Sequence, residues 1–420
     1  MHKLKSPLVI VFCIILVDML GIGILIPVIP LLLTDPTYPY YLASLTVAEG
    51  YIVLGLLTAI FPLMQFIATP ILGQLSDRIG RRPVLAFSLL GTALSYVIFA
   101  IGIITRNIPI LFISRALDGI TGGNISVAQA AIADSTTPEN RAKSFGALGA
   151  AFGIGFIIGP FLGGKLSDPS ILPWFNATTP FWFAAAISFL NALAVFFLFN
   201  ETLKQKATEA MHFAQSFINI WKAFAEPRLR KIFSVSFFFQ AGFAFFTTFF
   251  GAYMVYKFSF TQGNIGDYFA FIGVCIALTQ AFVTGFMAKR FSPYAIISVA
   301  LLGVSVTVLS FTLVPYSWML YLVGLPQAVC MGLIMANLNA LISRAGDQNQ
   351  QGTVLGIAAS VQALAQAIPP IIAGYLAASF APAAPMIAGS VFVFIGFLIF
   401  VFFLRNTSNA ISGHGKEHTA

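Results

Sequence analysis

Long apolar segments dominate this sequence and leave it few ways to fold. Twelve segments reach the length of about 20 residues that a helix needs to cross a hydrocarbon core of roughly 30 Å. They cover residues 8–33, 50–73, 83–104, 107–133, 143–167, 178–199, 230–256, 263–287, 293–314, 316–343, 353–378 and 383–404. Lipid cannot satisfy unpaired backbone groups, and these segments are too long and continuous for barrel strands. Each one therefore predicts a membrane-spanning helix.

The first segment could be mistaken for a signal peptide, because Lys3 and Lys5 precede its apolar run. The run, however, extends to Leu33, contains Asp18, and lacks a convincing small-residue cleavage site. We therefore predict a retained first span.

The basic residues indicate which way the helices cross the membrane. Of the 22 Lys and Arg residues, eighteen fall on one side, whereas Arg106, Lys165 and Lys257 fall on the other and Arg115 lies inside a helix. The positive-inside rule then places both termini and the central loop in the cytoplasm, as in a bacterial inner-membrane protein. The net charge of +8 is spread over short connections, which argues against nucleic acid as a partner.

The chain divides into two equivalent halves. The long polar connection 200–229 separates six segments (1–199) from six more (230–404) and a cytoplasmic tail, 405–420. GQLSDRIG from Gly73 returns in weakened form as GFMAKRFS from Gly285. A second repeat pairs Gly146, Pro160 and Gly164 with Gly356, Pro370 and Gly374. The predicted fold is an all-α polytopic membrane protein of two pseudo-symmetric six-helix bundles. Such parallel repeats are typical of secondary transporters, with the substrate site between the halves.

Three charged residues inside the predicted spans are candidates for proton coupling. Asp18 lies about ten residues into the first span, where a carboxylate must be partnered, face water or hold a proton. Arg115 and Asp118 stand three residues apart on one face of the fourth span. Asp18 either exchanges protons or only fixes helix packing. Arg115 and Asp118 either neutralise each other, or Arg115 tunes the acidity of Asp18 or Asp118.

Other candidates lie at helix ends and among uncharged polar residues. The run GQLSDRIGRRP holds a charged cluster between the second and third spans: Gly73, Asp77, Arg78, Gly80, Arg81 and Arg82. The fifth span is rich in glycine, which permits close helix contact and bending around a proline: Gly149, Gly153, Gly155, Gly159, Pro160, Gly163 and Gly164. Candidates for the substrate cavity, or for interhelical hydrogen bonds instead, are Gln65, Asn124, Gln129, Gln240, Gln280, Asn337 and Gln362.

Several classes of activity find no support in the sequence. It contains no Walker-type phosphate loop, nucleophile elbow or zinc-binding HExxH motif, which argues against ATP drive and against an enzyme. The three cysteines lie inside apolar segments and are odd in number, so neither a disulfide framework nor a metal site is expected. We expect no cofactor beyond a proton gradient.

Taken together, GQLSDRIGRRP, RALDGITGG and GIGFIIGPFLGG resemble the signature motifs of the major facilitator superfamily, in its twelve-span drug:proton antiporter branch. LVDMLGIGILIP, LMQFIATPILG and IADSTTPENRAKSFGALGAAFG are further similar to the tetracycline-resistance efflux proteins. The resemblance implies that Asp18 is the first-helix carboxylate and Arg115 the fourth-helix arginine. It also implies that the charged run latches the cytoplasmic gate, and that the glycine-proline motif favours export.

The chain departs from the tetracycline exporters in ways that bear on its substrate. It lacks their acids in the third and ninth helices and their histidine in the eighth, and it carries Ser95 in the third. These differences argue against tetracycline itself. We predict a monomeric, proton-driven exporter of a small organic molecule. The alternatives are an importer or symporter of a nutrient, metabolite or siderophore, and a receptor or scaffold that transports nothing.

Overall fold

The described part of the chain is helical throughout. A computed structural model describes residues 7–42, 44–203, 205–207, 212, 214–345 and 351–413. Four of the eighteen basic residues on the predicted cytoplasmic side lie outside these ranges: Lys3, Lys5, Lys204 and Lys416. Within them the backbone forms helices and short connections, with no strand.

Fifteen α-helices follow one another along the described chain. The first half contains α1 (Pro7–Thr34), α2 (Val47–Ile79), α3 (Arg81–Ile104), α4 (Ile108–Thr121), α5 (Ile125–Ser135), α6 (Pro138–Leu166) and α7 (Thr179–Leu198). The short helix α8 (Gln215–Ala225) follows in the central connection. The second half contains α9 (Pro227–Phe258), α10 (Gln262–Leu278), α11 (Thr284–Arg290), α12 (Pro293–Leu313), α13 (Met319–Ala345), α14 (Gln351–Ser379) and α15 (Ala384–Gly413).

The predicted spans recur in the structure, with one interruption. Eleven helical segments in the described residues are long and apolar enough to cross a membrane, counting α10 and α11 as one through the π-helical turn Thr279–Val283. The fourth predicted span, 107–133, is instead two shorter helices, α4 and α5, joined by the 3₁₀ turn Gly122–Asn124. The span predicted there is therefore helical along its length but interrupted, because two consecutive glycines allow the backbone to tighten. At the other end of the chain, α15 continues past the predicted boundary at 404.

The two halves meet closely at one end of the bundle. We call the end that carries residues 73–83 the motif end, and the other the opposite end. At the opposite end, a Cβ on Gly55 of α2 would stand 2.2 Å from the carbonyl oxygen of Pro370 on α14. A Cβ on Gly164 of α6 would stand 2.5 Å from the carbonyl oxygen of Gln262 on α10. Only glycine permits such approach, so the backbones of the two halves are in contact there.

At the motif end the same helices are apart. No described atom lies within 4 Å of the position where a Cβ would stand on Gly149 or Gly153 of α6, or on Gly285 of α11. At this end the first half and the second half have separate buried apolar cores, whereas the core at the opposite end combines first-half side chains with side chains of α9 and α14. The bundle is therefore closed at the opposite end and open between the halves at the motif end.

Candidate functional site

Asp18 is a buried acid without a hydrogen-bond partner. Helix α1 places it inside the first bundle with 5% of its surface exposed. Neither carboxylate oxygen has a hydrogen-bond partner among the described residues, and the same holds for both side-chain polar atoms of nearby Asn124. The Asn124 side-chain amide stands close enough to act as a donor to this carboxylate, although not in hydrogen-bonding geometry, and the Asp118 carboxylate repels it. Asp18 is therefore held near polar groups without being committed to an ion pair.

Arg115 and Asp118 form the ion pair that their spacing suggested. The guanidinium Nη1 lies 2.5 Å from the Asp118 carboxylate, and both side chains are buried. The face of the guanidinium stacks over the Phe61 ring at 4.5 Å, which adds a cation–π contact. Arg115 thus neutralises Asp118 directly and forms no ion pair with Asp18 in this state. Whether it also tunes proton exchange stays a prediction.

The break between α4 and α5 positions these groups. Gly123 in the 3₁₀ turn comes so close to α2 that a Cβ on it would stand 2.9 Å from the Thr69 nitrogen. The side-chain amide of Gln65 donates to the Gly122 carbonyl oxygen at 2.9 Å, which holds the turn against α2. Asn124, the last residue of the turn, is consequently fully buried next to Asp18.

A small cavity joins these residues. Its volume is about 10 Å³, room for one water molecule. It is lined by Asp18, Met19, Ile22, Phe61, Gln65, Thr92, Tyr96, Asp118, Gly122 and Ile125. The two acids, one free and one paired, therefore face a common space that is large enough for a proton and its water but too small for an organic molecule.

The glycines of α6 hold the helix that carries Asp18. A Cβ on Gly155 would stand 2.6 Å from the Met19 Cβ, and one on Gly159 would stand 2.6 Å from the Leu20 carbonyl oxygen. Gly163 makes the equivalent approach to Ile24. These three glycines, four residues apart, form a groove on α6 into which α1 packs. Gly149 and Gly153 belong to the part of α6 that faces open space.

Arg81 is the centre of the charged run at the motif end. Its guanidinium contacts Asp77 at 2.6 Å, Asp134 at 3.0 Å and the Ser76 hydroxyl at 2.6 Å, with 7% of the side chain exposed. Asp134 lies near the end of α5, so the cluster ties the α2–α3 connection to a third helix. Sequence reasoning missed Asp134, although it stands inside the segment IADSTTPENR that carried the family resemblance.

Glu201 completes this cluster and was also missed. Its carboxylate accepts hydrogen bonds from the backbone nitrogens of Arg81 at 2.9 Å and Arg82 at 3.1 Å, and so caps the start of α3. Gly80, the residue before the start of α3, has a φ of +115°, and a Cβ on it would stand 2.4 Å from the Glu201 carboxylate. Burial alone would raise the pKa of Glu201, but hydrogen bonds from the backbone N–H groups of Leu203, Arg81, Arg82 and Thr202 hold that pKa below its usual range. The sequence signal that could have identified Glu201 is its position, an acid just after the end of an apolar span.

Most of the predicted polar residues do not line a common cavity. Gln65 is the member of that set that reaches the small cavity, with Asn124 beside it. Asn337 donates to the Leu333 carbonyl oxygen of its own helix, so its amide is already used. Gln280 and Gln362 are exposed, and Gln129 and Gln240 are half-buried and do not line the small cavity. For these residues the prediction of a substrate role gains no support from position.

A second cavity lies between the halves and is aromatic. Its volume is about 30 Å³, and α6, α9, α10 and α13 supply its wall. It is lined by Phe156, Phe243, Phe246, Thr247, Tyr268, Phe269, Ile272, Gly273, Ile276, Gln327 and Met331. The Tyr268 hydroxyl is buried and has no hydrogen-bond partner among the described residues. Sequence analysis offered no reason to select Tyr268 or Gln327.

The family model of the Major Facilitator Superfamily matches residues 11–368 and, in an overlapping second match, residues 232–419. Among curated proteins, the class H tetracycline resistance protein of Pasteurella multocida is 31% identical over 378 residues, which is 89% of each chain. The class E tetracycline resistance protein of Escherichia coli is 34% identical over 369 residues, or 86% of each chain.

Solved structures of similar fold extend over nearly the whole chain. The crystal structure of the human organic anion transporter MFSD10 (TETRAN) matches with a TM-score of 0.70 and 25% identity, covering 94% of this chain and 99% of that one. A bacterial homologue of the human lysosomal transporter Spinster, in an inward-facing and occupied conformation, matches with a TM-score of 0.74. It is 14% identical, covers 94% of this chain and 95% of its own, and is similar in fold alone.

Proposed function

This chain belongs to the Major Facilitator Superfamily, and from that premise we propose that it is a proton-coupled antiporter that exports a small organic molecule. It is a multi-pass membrane transporter and not an enzyme. Its similarity to tetracycline resistance proteins, and to a multidrug resistance protein of Bacillus subtilis that is 28% identical, supports the direction of transport and the class of substrate.

The single observation that carries proton coupling is the state of Asp18. A buried acid that forms no ion pair among the described residues can take up or release a proton without first breaking one. The positive charge of Arg115 is already balanced by Asp118. Asp18 is therefore not needed as a counter-ion and can be neutral or charged. The cavity between Asp18 and Asp118 admits one water, which provides a site for a proton carrier beside both acids. Asp18 therefore fits the proton site, and the paired Asp118 fits a supporting role.

The aromatic cavity is the proposed region of substrate binding, and its 30 Å³ must widen during transport to admit an organic molecule. It lies where α6 of the first half meets α9, α10 and α13 of the second, on the surface that alternating access would rearrange. Its aromatic walls suit a planar apolar group, while the buried Tyr268 hydroxyl and Gln327 amide offer hydrogen bonds to one polar substituent. Both faces of this pathway come from one chain, which supports a monomer as the transport unit.

The motif end is proposed to face the cytoplasm. The described basic residues favour that side, including Arg78, Arg81 and Arg82 at the α2–α3 connection. On this assignment the structure is open to the cytoplasm and closed to the outside. A bacterial inner membrane is the setting that the tetracycline resistance relatives suggest.

The test is transport driven by a pH gradient imposed across proteoliposomes, with ethidium and tetracycline as probes. An antiporter accumulates a probe against its gradient only when protons flow the other way, and the probe in turn shifts the pH reported by a dye inside the vesicle. We expect Asp18→Asn to lose gradient-driven accumulation by at least tenfold and to keep probe exchange between equal concentrations. Asp35→Asn, just beyond the end of the same helix, is the matched control.

The same assay separates the alternatives. Movement of the probe in the direction of the protons would indicate a symporter. Absence of exchange for every probe, in folded protein, would favour a receptor or scaffold. If Asp18→Asn still accumulates the probe at the wild-type rate and with the wild-type pH signal, proton coupling through Asp18 is wrong.

A further inference from the structure

The connection between the two halves is docked against the first bundle. After Glu201 caps α3, the Ala207 nitrogen donates to the Asp77 carbonyl oxygen at 2.9 Å. The His212 nitrogen then donates to the Gln74 side chain at 2.6 Å, and the Gln74 amide donates back to the His212 carbonyl oxygen at 3.2 Å. The described parts of the connection thus follow α2 from its end toward the middle of the bundle.

Helix α8 then bridges the two halves. On one side its Phe217 ring stacks edge-on against Phe66 of α2, with centroids 5.3 Å apart. On the other side the Asn219 amide donates to the Ser360 hydroxyl of α14 at 3.2 Å, and both side chains are buried. Ala223 is fully buried in the core of the second half. One short helix therefore contacts α2 and α14 at the same time.

Helix α8 contacts one face of α2 and one face of α14. Toward the opposite end of the bundle, these same two faces pack directly against each other. Phe66 follows Gly55 by 11 residues, about three helical turns, and so lies on nearly the same face of α2. Ser360 precedes Gly374 by 14 residues, about four turns, and so lies on nearly the same face of α14. Gly55 and Gly374 mark the direct α2–α14 contact at the opposite end. Toward the motif end, α8 stands between the same two faces.

We propose that α8 is a wedge that holds the cytoplasmic ends of α2 and α14 apart, and that it must leave before the cytoplasmic side can close. Two helices whose facing surfaces are separated by a third cannot pack until that helix moves. Among the described side chains, Asn219 supplies a polar contact from α8 to the second half, and Trp221 and Phe217 leave 75% and 62% of their surfaces exposed. Released, this amphipathic helix has an apolar face suited to the lipid–water boundary. The inference rests on alternating access and on the proposed orientation, and is independent of substrate and proton coupling.

A reversible cross-link tests the wedge directly. In a background with Cys13, Cys275 and Cys330 changed to Ser, Asn219→Cys and Ser360→Cys are joined by a short bis-methanethiosulfonate linker. The reporter is Ala377→Cys, which is 3% exposed in the core that closes the external side. An impermeant maleimide added outside reacts with it only when that side opens. We expect linking to slow this labelling at least tenfold, and reduction of the linker to restore it. Equal labelling rates with and without the linker would overturn the proposal.

A milder change tests the same contact without a cross-link. Asn219→Ala removes the hydrogen bond to Ser360 and shifts the equilibrium away from the wedged state, so the reporter labels roughly three to ten times faster. Lys222→Ala, at an exposed position of the same helix, leaves the rate unchanged. Labelling that responds equally to both variants, or to neither, would refute the wedge. Because this readout needs no substrate, it is unaffected if the proposed transport activity is wrong.

Discussion

The contact between α1 and α6 can be tested with one substitution, glycine to alanine, at two positions of α6. One position lies in the contact with α1 and the other lies outside it. Gly155→Ala puts a Cβ 2.6 Å from the Met19 Cβ and 2.7 Å from the Leu16 carbonyl oxygen. Ordinary contact begins at 3.4 Å, so α1 must retreat by about 0.8 Å. The neighbours are backbone and Cβ atoms, which cannot rotate away. We expect a cost of about 1–3 kcal/mol, reduced by the small gain in helix propensity.

Gly149→Ala is the matched control. Its Cβ meets no described atom within 4 Å, so it has the same gain in helix propensity and no steric cost. In thermal unfolding in detergent, Gly155→Ala should therefore melt at a lower temperature than wild type, and Gly149→Ala should melt at the same temperature or higher. Because Asp18 lies on the displaced stretch of α1, Gly155→Ala should also weaken gradient-driven transport. Equal melting temperatures, or a larger fall for Gly149→Ala, would refute the close packing.

Three further predictions follow from single side chains. Glu201→Gln should destabilise the protein by about 0.5–1 kcal/mol at pH 7, a discounted capping value because Glu201 is exposed. Folding lowers the pKa of Glu201, so the loss of stability in Glu201→Gln should have its full size above about pH 5 and become smaller as the pH falls. Thermal unfolding of both proteins at several pH values measures this. Asp77→Asn, which breaks the ion pair to Arg81, should slow transport more than Lys289→Gln at the exposed repeat-equivalent position, and comparable rates would contradict the asymmetry. Tyr268→Phe should leave stability unchanged, because its hydroxyl has no described partner, and should raise the half-saturating probe concentration about fivefold if that hydroxyl binds substrate.

The positions of the spans could be predicted from the sequence because the membrane imposes them. A helix needs a fixed length of apolar residues to cross, so the beginnings and ends of α3, α7 and α12 agree with the apolar segments within a few residues. The break at Gly122–Asn124 could not be predicted, because glycine is as compatible with close packing as with a 3₁₀ turn. What decides between them is the approach of α2, a contact between helices.

The candidate site could be predicted only in part, for a related reason. Charges inside apolar segments are rare and costly, so Asp18, Arg115 and Asp118 stood out, and the structure brings all three together. Uncharged polar residues carry no such cost. Asn337 therefore bonds within its own helix, while Tyr268 and Gln327, on different helices, meet at the aromatic cavity. Whether a polar side chain faces a cavity or bonds within its own helix depends on the rotation of that helix about its axis. An almost uniformly apolar sequence does not specify this rotation.

The two halves repeat a fold without repeating its charges, and this difference bears on how the cytoplasmic side opens and closes. In the first half Arg81 binds two acids, and the connection returns Glu201 to the start of α3. In the second half, the equivalent turn has Lys289 in place of an acid, and Arg290 stacks over the Phe286 ring at 4.2 Å. Glu201 and α8 belong to the same connection, and between them the described Ala207 and His212 are also bonded to α2. Fixing the start of α3 therefore also anchors one end of the proposed wedge, so that rearrangement of the charged cluster and release of α8 are expected to occur together.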